Sequence, residues 1–321
     1  MKKFIKRCLI VALVFVIVGL ILLLIGKYVP GVNISETVHK VTGGRINMNV
    51  DNWDDFNISV EDVNLLNSES KVNYDLDEVM MFDKNYPILQ GDFEKHMVSE
   101  VVADISIEAG GCSFTVQDSM DENIYVEGKN TGKFQAYTED GKLYVRTTTG
   151  SKIWNQLEGS EITLYLPCDY NYSDVSIELG AGILQMERLA AEEIDLDLGA
   201  GQIVGDDVKA GKLKGSVGAG EMKLNNIDVS ELSLEVGLGN IEVKGNVTEK
   251  ADLDCSMGNL NLDLDGKKED FNFDIEGAMG NLKIGNESYS GLADSRRIHN
   301  DADKKIKVSC AMGNVTIQFT E

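Results

Sequence analysis

Seven glycine-centred segments recur along the C-terminal half of this chain. They are ELGAGILQM (178–186), DLGAGQIV (197–204), SVGAGEMKL (216–224), EVGLGNIEV (235–243), DCSMGNLNL (254–262), EGAMGNLKI (276–284) and SCAMGNVTI (309–317). Each has a small residue, any residue, a glycine and then an apolar-x-apolar step. The second glycines are Gly182, Gly201, Gly220, Gly239, Gly258, Gly280 and Gly313, spaced 19, 19, 19, 19, 22 and 33 residues apart. A fixed period of this length marks a repeat architecture, in which one unit cannot bury its apolar residues alone and neighbouring units cover one another.

The columns inside the repeat say how. Before the glycine, apolar residues alternate with polar ones: Val175/Ile177/Leu179, Ile194/Leu196/Leu198, Leu232/Leu234/Val236, Ala251/Leu253/Cys255 and Ile306/Val308/Cys310. That is a strand with one wet face. After the glycine the apolar parity flips, as in Leu184/Met186, Met222/Leu224, Ile241/Val243, Leu260/Leu262 and Leu282/Ile284. A corner produces that flip, and glycine tolerates the φ values of a corner. No proline follows Pro167, as a continuous hydrogen-bonded ladder requires.

The expected fold is therefore all-β: a parallel β-solenoid of about 19-residue coils, stacked roughly 4.8 Å apart. Asn240, Asn259, Asn281 and Asn314 share the column after the glycine and are expected to form a side-chain amide ladder. Cys255 and Cys310 are expected in one inward column two coils apart, out of disulfide reach. The 22- and 33-residue steps place polar insertions at GKKED and NESYSGLADSRRIHNDADKK, expected as surface loops. The alternative is an antiparallel sandwich or meander of hairpins, which needs no strict period.

The N-terminus has a different character. Residues 8–26, CLIVALVFVIVGLILLLIG, hold no charge and follow four bases. As a helix this run is roughly 28 Å long, against a hydrocarbon core of roughly 30 Å. It is too long for a cleaved signal peptide, and no A-x-A-like site follows it. We expect an uncleaved signal anchor, N-terminus inside, with the rest of the chain outside the cytoplasm. Residues 31–100 show no persistent period and read as a juxtamembrane spacer. His39, Trp53 and His96 fall in it without forming a constellation. From Val101 a period of two begins, so 101–321 is read as the β-repeat ectodomain, clearest over 171–321.

Charge limits the partners. The chain carries 53 acids and 30 bases, a net of −23; beyond residue 27 there are 25 bases, giving −28. Such a body repels phosphate backbones, so no nucleic-acid partner is expected. The calcium-binding solenoid motif needs Asp two places after the glycine, where this chain has Leu184, Ile203, Met222 and Ile241. Acidic pairs such as Asp195/Asp197 and Asp252/Asp254 read as a solvated face, with loose attraction of divalent cations as the alternative. Cys8, Cys112, Cys168, Cys255 and Cys310 contain no C-x-x-C. G-x-S-x-G, Walker A and H-E-x-x-H are absent. No catalytic, cofactor-binding or metal-binding residue is nominated, and no enzyme activity is expected.

EITLYLPCDYNYSDVSIELGAG, followed by repeated G-x-G-[N/E]-hydrophobic-x-hydrophobic units, resembles the bacterial β-strand-repeat family known by the name "putative adhesin", with its LiaG-like and YvlB-like membrane-anchored proteins. The resemblance covers about residues 100–320. It implies an extracytoplasmic β-repeat domain with an envelope-stress or surface-interaction role, and it supplies no catalytic residue. This chain departs from the G-A-G form late, at S-M-G and A-M-G, which puts Met257, Met279 and Met312 in one column, read as packing or a cap-side patch. The expected function is a non-catalytic binding or scaffolding module at the cell envelope. It is held to the membrane by residues 8–26, with a cell-wall polymer or envelope protein as partner. A carbohydrate-active β-helix enzyme and a regulatory partner of a membrane sensor are the alternatives.

Overall fold

The computed structural model describes residues 46–49, 57–60, 82–83, 85–147, 160–277, 280–290 and 294–320. The run 8–26, expected as a membrane helix, lies outside them, as do His39 and Trp53. Among the described residues no helix is long and apolar enough to cross a membrane. The chain divides into two units, Met1–Asn73 and Tyr74–Glu321. In the first, β1 (Ile46–Asn49) and β2 (Asn57–Val60) pair antiparallel, with Ile46 opposite Val60.

The second unit is one sheet system. Its repeats are built from β8 (Tyr172–Met186), β9 (Leu189–Leu198), β10 (Gln202–Asp206), β11 (Val208–Val217), β12 (Glu221–Val236), β13 (Asn240–Cys255) and β14 (Asn259–Asp265). All pairings among these strands are parallel, and the main register advances one repeat per rung. Leu179 faces Leu198, Leu198 faces Val217, Val217 faces Val236 and Val236 faces Cys255. After the glycine corner, Ile183, Gln202, Glu221, Asn240 and Asn259 follow the same 19-residue step. The alternating columns point inward as their pattern requires. Leu196, Leu198, Val236, Cys255, Met222 and Ile241 are fully buried, and the core runs unbroken from rung to rung. Each such side chain contributes about 1.5–3 kcal/mol by leaving water.

The seven corner glycines are explained by space more than by dihedral. Only Gly182 and Gly201 among them have positive φ, 123° and 106°. At the other five the requirement is vertical. A Cβ on Gly220 would sit 2.6 Å from the carbonyl oxygen of Gly201 in the rung beneath, inside van der Waals contact. The expectation that φ sets this column is thus corrected to close backbone approach.

The last rung is out of order. Past β14 the chain passes a short 3-10 turn at Lys268–Asp270 and forms β15 (Phe271–Gly277) and β16 (Asn281–Ile284). Then come β17 (Glu287–Ser290) and β18 (Asp294–Ile298), and finally β19 (Lys304–Cys310) and β20 (Asn314–Thr320). β19 pairs in parallel with both β13 and β15, and β20 with both β14 and β16. The C-terminal rung is therefore slotted between its two predecessors. This corrects the Cys255–Cys310 expectation: the two are direct register partners in adjacent strands. The long insertion is also no free loop. β17 lies antiparallel on β16, and β18 antiparallel on β15, closing that end of the ladder.

The other end mirrors it. β3 (Leu89–Glu100), β4 (Asp104–Ser119), β5 (Asn123–Glu139), β6 (Lys142–Thr147) and β7 (Glu161–Pro167) precede the repeats. β4 pairs in parallel with β8 and, on its other side, with β6 and β7. β5 lies antiparallel on β6 and β7, and β3 antiparallel on β5. β3 falls in the stretch read as spacer. Its alternation is broken by four register irregularities against β5, which is why no period shows. Antiparallel strands at both ends cover edges that would otherwise template another chain.

Candidate binding surface

Parallel register turns each outward column into a row of side chains, one per rung, spaced roughly 4.8 Å apart. On the face before the glycine, one row reads Glu108, Glu178, Asp197, Ser216, Glu235, Asp254, Ser309, Glu276. Like charges directly opposite one another destabilise a sheet, and the two serines break the run. Lysines of the neighbouring rows compensate. Lys212 lies 3.6 Å from Glu193, Lys250 lies 3.1 Å from Glu231, and Lys214 also bonds Glu193. The Lys214 hydrogen bond holds the Glu193 carboxyl below its ordinary range and raises the Lys214 amine.

The face after the glycine is different. Asn259 donates to Asn240 at 2.7 Å, Asn314 to Asn259 at 2.7 Å and Asn281 to Asn314 at 2.9 Å. This is the expected amide ladder, in the spatial order 240, 259, 314, 281. Its row continues through Glu221, which accepts from Gln202 at 2.8 Å and pairs with Lys223 at 2.9 Å. Amides stack because each offers both a donor and an acceptor along the ladder axis.

Between the two faces, the middle residue of each glycine corner forms a ridge. Leu238, Met257 and Met312 occupy consecutive rungs and are 46%, 49% and 55% exposed. Of the two readings of this column, packing or a surface patch, the described methionines are solvent-facing; Met279 lies outside the described residues. The ridge is apolar, and it is flanked by acids on one side and amides on the other.

Nucleophilic chemistry finds no foothold in the buried thiols. Burial pushes Cys112 up to about 11 and, with help from Cys310, Cys255 up to about 12. His96 is exposed on β3 and contacts the Glu94 carbonyl at 3.3 Å, while His299 pairs with Asp301 at 2.9 Å, both side chains exposed. Among the described residues no three His, Cys, Asp or Glu side chains are grouped to hold a metal.

Sequence reasoning missed the aromatic stacks on the N-terminal strands. Tyr86 stacks on Tyr137 at 3.9 Å and Tyr137 on Tyr144 at 5.2 Å, with Arg146 near both rings. Lys95 lies 3.7 Å over the Tyr165 ring and 4.8 Å over Tyr125. The tyrosines in NIYVEG, KLYVRT and EITLYLP carried the signal, but pairing them required the antiparallel order of β5, β6 and β7.

Residues 102–284 match the family model described as Toastrack DUF4097, and residues 216–318 match it again. No curated protein matches the sequence. Solved structures that align with the chain include a "putative cell adhesion protein" of Clostridium sporogenes, 12% identical, with 71% of this chain and 98% of that one aligned at a TM-score of 0.34. A "putative adhesin" of Bacteroides fragilis is 14% identical over 73% and 98% of the two chains, at 0.35. A "putative lipid binding protein" of Parabacteroides distasonis is 13% identical over 71% and 98%, at 0.36.

Proposed function

The chain belongs to the Toastrack DUF4097 family, and from that premise we propose that it is a non-catalytic binding or scaffolding module of the cell envelope. In this reading residues 8–26 anchor it in the membrane and residues 101–321 form a parallel β-solenoid outside the cytoplasm. One observation carries the reading: outward side chains stand in register from rung to rung, as acidic, amide and apolar rows side by side. A rigid ladder of such rows suits an extended partner, because every rung repeats the same contact. A wall polymer or an elongated envelope protein fits that description. The net charge of −23 favours a neutral or cationic partner along the acidic rows.

The test is retention on cells. Cells carrying the full chain are compared with cells carrying a chain that ends before residue 171. Loss of a captured wall polymer or envelope protein with the truncation supports the reading. Equal capture by both chains, or turnover of a glycan or ester by the intact chain, overturns it.

A further inference from the structure

The ladder has a second set of corners, opposite the glycines, and one of them is hollow. Asp207 and Asn226 turn it with φ of 51° and 52°, a left-handed conformation that Asp and Asn tolerate. Asn226 donates its amide to the Asp207 carboxylate, so these two side chains satisfy one another. Beside them lies a groove of about 460 Å³ that crosses four rungs, from Tyr170 and Asn171 through Arg188 and Lys209 to Asn226. Four rungs span roughly 14 Å, and the volume falls within the range of small-ligand sites.

The groove holds an unusual set of unspent groups. Lys209 is exposed in a chain of net charge −23, yet among the described residues its amine has no side-chain partner. Asp169 and Asn171 likewise have no side-chain partner among the described residues. The Tyr170 ring is half-buried and held edge-on against Tyr172, with centroids 4.9 Å apart at 66°. It is therefore a fixed aromatic wall. Behind it the Tyr172 hydroxyl is buried without a hydrogen-bond partner, and that burial pushes it above the ordinary phenol range. An aromatic wall, an amide, a carboxylate and a lone cation are complementary, in that order, to a sugar ring, its hydroxyls and an acid group.

We propose that this groove binds a short saccharide bearing a carboxylate, with Tyr170 against the ring, Asp169 and Asn171 on hydroxyls, and Lys209 on the acid group. The site lies apart from the glycine corners and their rows, and the proposal does not depend on where the chain resides in the cell. Lys209 supplies the charge selectivity. Arg188, which sits 3.5 Å from Asp118, is already engaged.

The experiment is calorimetric titration of the full-length chain in a polyoxyethylene detergent, which carries no sugar headgroup. The probes are a hyaluronan tetrasaccharide, the neutral chitotetraose and inorganic sulfate. The uronic-acid probe is expected to bind saturably, and chitotetraose to bind roughly tenfold more weakly, the size of one charge-assisted hydrogen bond. Lys209→Ala is expected to erase that preference while leaving the thermal midpoint unchanged, since the side chain is exposed and unpaired. Tyr170→Ala is expected to weaken both sugars. Absence of saturable binding overturns the proposal. So does an undiminished preference in Lys209→Ala, or sulfate competing as well as the sugar, which would make the groove an anion site only.

Discussion

Asn314 donates its side-chain amide to Asn259 at 2.7 Å across 55 residues of chain. That bond exists because the final rung is inserted between two rungs made before it. The stack can close at this end only when the C-terminus returns, so its last contacts join residues far apart in sequence.

The position of each asparagine in the ladder sets what its loss costs. Asn259 makes two ladder bonds and Asn281 one. Asn259→Ala is expected to lower stability by about 1 kcal/mol and Asn281→Ala by about half as much, because exposed amides regain water. Urea midpoints at constant slope measure both.

Vertical crowding predicts a sharper contrast at glycine. Gly220→Ala drives a methyl to 2.6 Å from both the Gly201 oxygen and a Leu198 methyl, and the hydrogen-bonded backbone beneath cannot give way. A loss of about 3 kcal/mol is expected. Gly141 has a φ of 78° and open space around its Cα. Gly141→Ala is expected to cost about 1 kcal/mol from dihedral strain alone. Equal losses in thermal unfolding would contradict the crowding argument.

The repeat was legible because its period, its parity flip and its missing prolines all depend on local backbone geometry. Leu196, Val236 and Ile241 sit where the alternation puts them. Rung order was not legible. Cys255 and Cys310 share a column in sequence, but the columns are silent on which rung is neighbour to which. The insertion that carries β17 and β18 looked like a loop because it is polar; it is polar because it faces solvent at the end of the stack. The groove beside Tyr170 was hidden for another reason: Asp169, Arg188, Asp207 and Asn226 keep the 19-residue period, but their residue types differ from rung to rung, so the column carries no pattern.

The buried thiols tie stability to alkaline pH. Cys112 and Cys255 ionise near 9.0 when the chain is unfolded and at about 11 and about 12 when it is folded. Above pH 9 the unfolded chain releases protons that the folded chain keeps, so stability falls as pH rises through that window. From this cause it is flat below about pH 8. Cys112→Ala and Cys255→Ala are each expected to flatten the decline in a pH series of urea unfolding. A decline of unchanged slope in both variants would contradict the assignment.

Tyr172 offers a test of an unmet hydrogen bond. Its hydroxyl is buried without a partner, so Tyr172→Phe removes a polar group and no bond. The variant is expected to match or exceed the parent by up to about 1 kcal/mol, whereas Tyr172→Ala is expected to lose about 3 kcal/mol through the cavity. A clear loss in the Phe variant would mean that the oxygen is bonded in solution.

The order of the rungs is tested most directly by crosslinking. In a chain with the five native cysteines replaced, Asp254→Cys is combined either with Ser309→Cys or with Glu276→Cys. Asp254 and Ser309 are register partners on the outer face, and Glu276 is one rung further on. Mild oxidation is predicted to join 254 to 309 and to leave 254 and 276 unjoined. A 254–276 crosslink without 254–309 would mean that the rungs stack in sequence order, and the inserted rung described above would be wrong.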